Sequence, residues 1–211
     1  FMGERTLGYH SSYGCPFFCN FCAVVNMVGG RWLPQSAETV ANVARFYHEQ
    51  HGVNAIEFYD NNFFVHEKRV AEFSERIINL NIAWWGEGRI DTMLKYKPAT
   101  WEKMRDAGLK MVFMGAESGS AETLARMDKG GKLVPEMTLE MARIMAHYDI
   151  VPEFSFVMGN PPNPEKDIAD TMAFIKECKK INPATEIIMY LYTPVPLEGD
   201  LYDQAKDSGF A

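Results

Sequence analysis

Three cysteines stand within eight positions of one another, Cys15, Cys19 and Cys22 in the stretch "CPFFCNFC", in a chain that holds four cysteines in all. The CxxxCxxC spacing lets three thiolates converge on one centre from a short loop. A structural zinc site closes with four ligands, and no fourth Cys or His follows at zinc spacing; His10 precedes the loop on a strand-like stretch. Iron–sulfur clusters also favour thiolates, and a cubane with three protein ligands keeps one iron open to a substrate or cofactor. A zinc knuckle, a ferredoxin-like electron carrier and a set of incidental buried thiols are the competing readings of the same residues. The remaining cysteine, Cys178, shares an apolar helical stripe with Ile168, Met172, Ile175 and Ile181 and reads as core.

Charged residues form a second group. "WGEGRID" puts Glu87, Arg89 and Asp91 on one parity of a strand, and Glu117 stands near the end of another in "MGAESGS". Burying Glu87 or Arg89 alone would cost several kcal/mol, so each needs a partner or a ligand. They either pair with each other or Arg89 offers its forked guanidinium to a carboxylate of a bound molecule. "FYDNNF" ends a third strand with Asp60 and Asn61, residue types that favour turns as readily as ligands.

The elements that must position these groups alternate along the whole chain. Strand candidates are "TLGYHSSY", "NAIEFYD", "AWWGEGRI", "MVFMGAE", "PEFSFVMG" and "EIIMYLYT", each followed by a turn and a helical pattern. Val40, Val43, Ala44 and Tyr47 make one inward stripe, and Val70, Phe73, Ile77 and Leu80 another. Asn163 before Pro164 reads as an N-cap, and Gly52 and Gly108 as C-terminal stops. Six βα units predict an α/β fold with a parallel sheet. Central strands of an open, doubly covered sheet would be apolar on both faces, so the interior charges favour a curved, TIM-like barrel with its site at the C-terminal ends of the strands.

Composition narrows the functions. The chain has 211 residues, 47% of them hydrophobic, enough for one sizeable core and one domain. A net charge of −7 with no Lys/Arg cluster argues against a nucleic-acid partner. Apolar runs fall short of the about 20 residues a membrane helix requires, so no membrane partner is expected. No signal peptide is visible, and the closely spaced cysteines point to a reducing, cytoplasmic compartment. The abrupt start on Phe1 reads as a module cut from a longer protein.

Taken together, CxxxCx(aromatic)C after a first strand, with Phe21 as the aromatic, resembles the radical S-adenosylmethionine enzymes, and the resemblance runs over residues 1–211. It implies a partial (βα)6 barrel in which Cys15, Cys19 and Cys22 hold a [4Fe–4S] cluster whose open iron chelates S-adenosylmethionine. An electron from the cluster then splits the sulfonium, and a 5′-deoxyadenosyl radical abstracts hydrogen from a small-molecule substrate. An electron donor such as flavodoxin or ferredoxin is implied as partner. "FYDNNF" departs from the family's Gly-Gly-Glu run and looks closer to the Asp-Asp-Asn-Phe version of the cobalamin-dependent branch, giving Asp60 and Asn61 the amine contact. "GAESGSAETLARMDKGG" resembles the segment in which Glu117 and Ser118 contact ribose or amine and Lys129 the carboxylate. Arg89 is a further cofactor contact, and Gly159 and Asn160 of "FVMGNPPNPE" line the adenine. "YLYTPVPLEGDLYDQAKDSG" resembles the Thr-Pro run of the cobalamin branch, which implies an N-terminal cobalamin-binding domain outside residues 1–211 and a methylation or oxidative cyclisation. The thirteen methionines and "AWW" suit a large apolar cavity. A methylthiotransferase and a noncatalytic iron–sulfur electron-transfer protein are the alternatives.

Overall fold

A computed structural model describes residues 2–129 and 133–193, together with Asp207. Six parallel strands form one sheet in the order β1 (Thr6–Tyr9), β4 (Ala55–Phe58), β5 (Ala83–Gly88), β6 (Leu109–Glu117), β7 (Val151–Met158), β8 (Glu186–Leu191). Sequential strands pair through helical crossovers, as parallel pairing demands. β1 and β8 are the free edges, so the sheet is an open, curved version of the barrel predicted from the sequence.

One face of the sheet is packed against helices. Ile56 and Phe58 of β4, Trp84 of β5, Val112 and Met114 of β6, and Phe154 and Phe156 of β7 are all fully buried there. α2 (Ala37–His51) and α3 (Glu67–Ile77) cover the β4 side, and α7 (Pro135–His147) and α8 (Pro164–Ile181) the β7 side. The stripe Val70, Phe73, Ile77 is buried as its spacing predicts. On α2 the buried face is Ala37, Val40, Ala41 and Ala44, and Tyr47 lies exposed with its ring beside those of Phe46 and His51. On α8 the buried set is Thr171, Phe174, Ile175 and Cys178; Ile168 and Met172 are largely exposed, so Cys178 is core but its predicted stripe is turned by part of a turn. Asn163 caps α8 by accepting from Lys166 N at 3.2 Å.

Turn chemistry follows the sequence. Gly52 is left-handed (φ 68°) after α2. Gly108 follows α5 (Pro98–Asp106) with φ +93°, and a Cβ there would sit 2.2 Å from the carbonyl oxygen of Ile82, so the helix reaches β6 only because this residue is glycine.

Two expectations fail locally. "TLGYHSSY" is two strands, because Asp60 draws Ser11 and Ser12 away from the β1 line; β2 (Ser12–Gly14) pairs antiparallel with β3 (Trp32–Pro34) in a small hairpin enclosing α1 (Ala23–Val28). β5 ends at Gly88, so Arg89 and Asp91 do not share a strand parity with Glu87: Arg89 precedes α4 (Ile90–Met93) and Asp91 lies in it. The Thr-Pro run after Thr193 lies outside the described residues. Among the described residues no helix is long and apolar enough to cross a membrane.

Candidate functional site

The C-terminal ends of the strands gather the predicted residues on one rim. Cys15, Cys19 and Cys22 lie on the loop between β2 and α1, all as free thiols, with Cys19 buried and the other two half-buried. The loop is tied down from three directions. Asn20 N donates to the carbonyl of Asp128 and Asn20 Nδ2 to that of Arg126, both beside α6 (Ala121–Met127). Cys19 Sγ donates to the carbonyl of Lys129 at 3.4 Å. Arg89 Nη1 donates to Cys19 Sγ at 3.0 Å and Nη2 to the Lys129 carbonyl at 2.7 Å.

Arg89 is 5% exposed and fully engaged. Its predicted partner Glu87 is not the one it finds. Asp91 takes the guanidinium in a two-toothed pair, Nε to Oδ1 at 3.0 Å and Nη2 to Oδ2 at 2.9 Å, and the ring of Phe17 lies beneath it with its centroid at 4.1 Å. Burial works against the guanidinium's charge, but Asp91 and then Cys19 more than offset it and hold the group above its ordinary value. Burial raises the Cys19 and Cys15 thiols, while the charges of Arg89 and Lys129 pull both toward thiolate.

Glu117 and Lys129 face each other. Their ion pair spans 2.6 Å, Lys129 Nζ also donates to the Gly115 carbonyl at 2.5 Å, and neither side chain is more than about a tenth exposed. Glu117 sits at φ +66°, an uncommon conformation for a residue with a side chain, at a register shift between β6 and β7. Gly115 makes the pair possible, since a Cβ there would lie 2.0 Å from Glu117 Oε1 and 2.5 Å from Lys129 Nζ.

Ser118 turns the other way. It is 1% exposed and donates to Asp167 Oδ1 at 2.9 Å. Asp167, on α8, also accepts from Thr123 Oγ1, from the backbone N–H groups of Gly159 and Asn160, and from Asn160 Nδ2, all within 2.9 to 3.1 Å. This buried carboxylate fastens the ends of β6 and β7 together, a hub the sequence pattern did not single out.

Asp60 and Asn61 also differ from each other. Asp60 is fully buried and accepts from Ser11 N, Ser11 Oγ and Ser12 Oγ, which anchors the strand leading into the cysteine loop. Arg69 of α3 supports it through Ser11 Oγ at 2.6 Å. Asn61 is exposed, and among the described residues no bond joins it to the rim. Its neighbour Asn62 is 1% exposed; Oδ1 accepts from Phe64 N at 3.1 Å and Nδ2 has no partner among the described residues. Phe21 is half-buried on the cysteine loop.

Among the described residues no three His, Cys, Asp or Glu side chains are grouped tightly enough to hold one metal ion. Cys22 stands near enough to Cys15 and Cys19 to disfavour their thiolates, and Arg89 and Lys129 act on both of those thiols, so the loop brings its cysteines to one part of the rim.

Known proteins resemble this chain in sequence and fold. An uncharacterized methyltransferase, PH0819, of Pyrococcus horikoshii is 29% identical over 169 residues, 79% of this chain and 36% of that protein. Bacteriochlorophyllide d C-8(2)-methyltransferase of Chlorobaculum tepidum is 22% identical over 214 residues, 98% of this chain and 46% of that protein. The chain thus spans less than half the length of these relatives. Among solved structures, the radical S-adenosylmethionine methyltransferase TsrM of Kitasatospora setae, with cobalamin and a [4Fe–4S] cluster bound, superposes at a TM-score of 0.78 over 97% of this chain and 37% of that one, at 17% identity. The family match covers residues 9–190, and the chain belongs to the Radical SAM superfamily of enzymes.

Proposed function

We propose that this chain is the core of a radical enzyme in which Cys15, Cys19 and Cys22 hold a [4Fe–4S] cluster and the rim around them holds S-adenosylmethionine. The observation that carries the reading is three free thiols on one short loop, with Cys19 held by the Arg89 guanidinium and no fourth protein thiol beside them: Cys178 is part of α8 and buried in the core. Zinc would draw four donors onto one point, whereas a cubane spreads its ligands over separate irons. The donor set fits the cluster.

When bound, that cluster supplies one-electron cleavage of a sulfonium and hence hydrogen abstraction from an unactivated carbon. The chain's own residues set the stage. Arg89 holds the Cys19 sulfur and keeps positive charge beside it, favouring the thiolate. Glu117 and Lys129 present a carboxylate and an ammonium suited to an amino group and a carboxylate of a ligand, at the mutual cost of parting. Asp167 fixes Ser118, Gly159 and Asn160, so Ser118 serves by positioning the end of β6 rather than by lending a free hydroxyl. Asp60 serves in the same way beneath the cysteine loop, and Asn62, with its unused Nδ2, replaces Asn61 as the candidate contact from this turn. The names of the curated relatives favour methyl transfer. A cobalamin-binding domain N-terminal to these residues and a flavodoxin or ferredoxin as electron source complete the proposal.

The test is anaerobic reconstitution with iron and sulfide, followed by reduction in the presence of S-adenosylmethionine. Formation of 5′-deoxyadenosine, or of a methylated product when cobalamin is supplied, is expected. A stable cluster that leaves S-adenosylmethionine intact would make the protein an electron carrier instead.

A further inference from the structure

The concave face of the sheet lines an open cavity of about 410 Å³. Glu57 and Tyr59 line it from the β4 side, Trp85 from β5, Met111 from β6, Glu153 from β7 and Ile188 from β8. Its volume falls in the range of small-molecule sites, roughly 300–1,000 Å³. A row of rings crosses the concave face: His10 and Tyr59 have centroids 6.2 Å apart, Tyr59 and Trp85 5.8 Å, and Trp85 and Phe113 6.4 Å.

Carboxylates stand between the rings. Tyr59 Oη donates to Glu57, and Trp85 Nε1 donates to Glu153 Oε2 at 2.8 Å. Glu186 also lines it, and Glu87, two residues after Trp85 on β5, shares the concave face without lining the cavity. Among the described residues no Lys, Arg or His forms an ion pair with any of these four glutamates. The hydrogen bonds that Glu57 and Glu153 accept come from neutral donors, so they orient the carboxylates without neutralising them. Aromatic faces are also electronegative. Ring-lined volume and uncompensated carboxylates are separate features, and both select the same kind of guest.

We propose that this cavity binds an organic cation: an amine whose ammonium sits among Glu57, Glu153 and Glu186 and whose apolar body lies against Trp85 and Tyr59. Cation–π contact and charge pairing then act together in a partly dehydrated space. The proposal rests on the radical-enzyme reading only in taking this guest as the substrate, because the cavity is lined by the same strands whose C-terminal ends carry the rim.

Isothermal titration of the reconstituted protein with 2-phenylethylamine and with its anionic counterpart 3-phenylpropionate tests it, since the two share ring and chain and differ in charge. Saturable binding of the amine below about 10 mM, at least about tenfold tighter than the acid, is expected. Glu57→Gln combined with Glu153→Gln should weaken the amine about tenfold and leave the acid unchanged or tighter. Should the double variant melt early, Glu186→Gln is read in its place, and the comparison of the two probes on the unaltered protein needs no variant. Equal affinity for both probes, or no saturable heat from the amine, overturns the proposal. Neither result touches the cluster reading, which stands or falls on iron, sulfide and 5′-deoxyadenosine.

Discussion

The rim and the cavity are built from the same strands, yet they treat charge in opposite ways. At the rim every predicted charge has an answering group: Arg89 has Asp91, Glu117 has Lys129, and Asp60 has two hydroxyls and an amide. In the cavity, three glutamates face one space with only a phenol and an indole to bond, and Glu87 stands on the same concave face of β5. Buried pairs are costly to break, because removing one partner strands the other in a poorly solvated place. Buried like charges are costly to keep. The rim is therefore a finished scaffold that holds its shape before anything binds, and the cavity is a site whose electrostatics are completed by a guest.

The largest expected effect lies at the rim. Cys19→Ala should abolish cluster assembly, read as near-complete loss of iron and sulfide after reconstitution, with the melting temperature little changed. Full iron in that variant would sink the ligand assignment. Arg89→Met comes next. It leaves Asp91 without its partner in a half-buried position and releases the carbonyl of Lys129, so chemical denaturation should show a loss of about 2 kcal/mol. Arg89→Lys should recover only part of it, since an ammonium cannot reproduce the two-toothed pair and the stacking on Phe17. Gly115→Ala ranks third. Its methyl would displace Glu117 Oε1 and Lys129 Nζ, costing about 2 kcal/mol and, more tellingly, lowering affinity for S-adenosylmethionine in equilibrium dialysis. Unchanged affinity would separate the ion pair from cofactor binding.

Much of this contrast was legible in the sequence because it depends on periodicity. Alternating strand and helix patterns gave the parallel sheet, and the cysteines are contiguous enough for spacing alone to mark them. What escaped were relations set by where an element stops. One residue decides whether Arg89 continues β5 or turns into α4, and that turn replaces Glu87 with Asp91 as its partner. One residue likewise separates exposed Asn61 from buried Asn62. Asp167 was missed for another reason: its partners Ser118, Thr123, Gly159 and Asn160 come from two other strand ends and a helix, and only the fold brings them to one carboxylate. The sharing of the concave face by Glu57, Glu87 and Glu153 needed the register between strands, although each residue's parity along its own strand was readable.

Glu87→Gln tests the cavity side of the comparison with the smallest effect. Burial, followed by the charges of Asp60 and Glu153, raises the Glu87 carboxyl from its ordinary 4.5 to about 7. The sign follows from proton counts. Between those two values the folded protein holds a proton that the unfolded chain has released, so stability falls as pH rises across this interval and levels off above it. Below pH 4.5 the penalty is absent, because both states are protonated. Glutamine fills the same volume and carries no charge, so the variant should match the parent near pH 4.5 and exceed it by about 1 kcal/mol at pH 8, a figure reduced from the full shift because Glu87 keeps some contact with water. Glu153 is raised too, by burial and then by Glu186 and Glu57, and steepens the same slope in both proteins. The decisive quantity is accordingly the difference between the two urea-denaturation profiles against pH. A difference that does not vary with pH would mean that Glu87 already has a compensating cation, and the cavity would then resemble the rim.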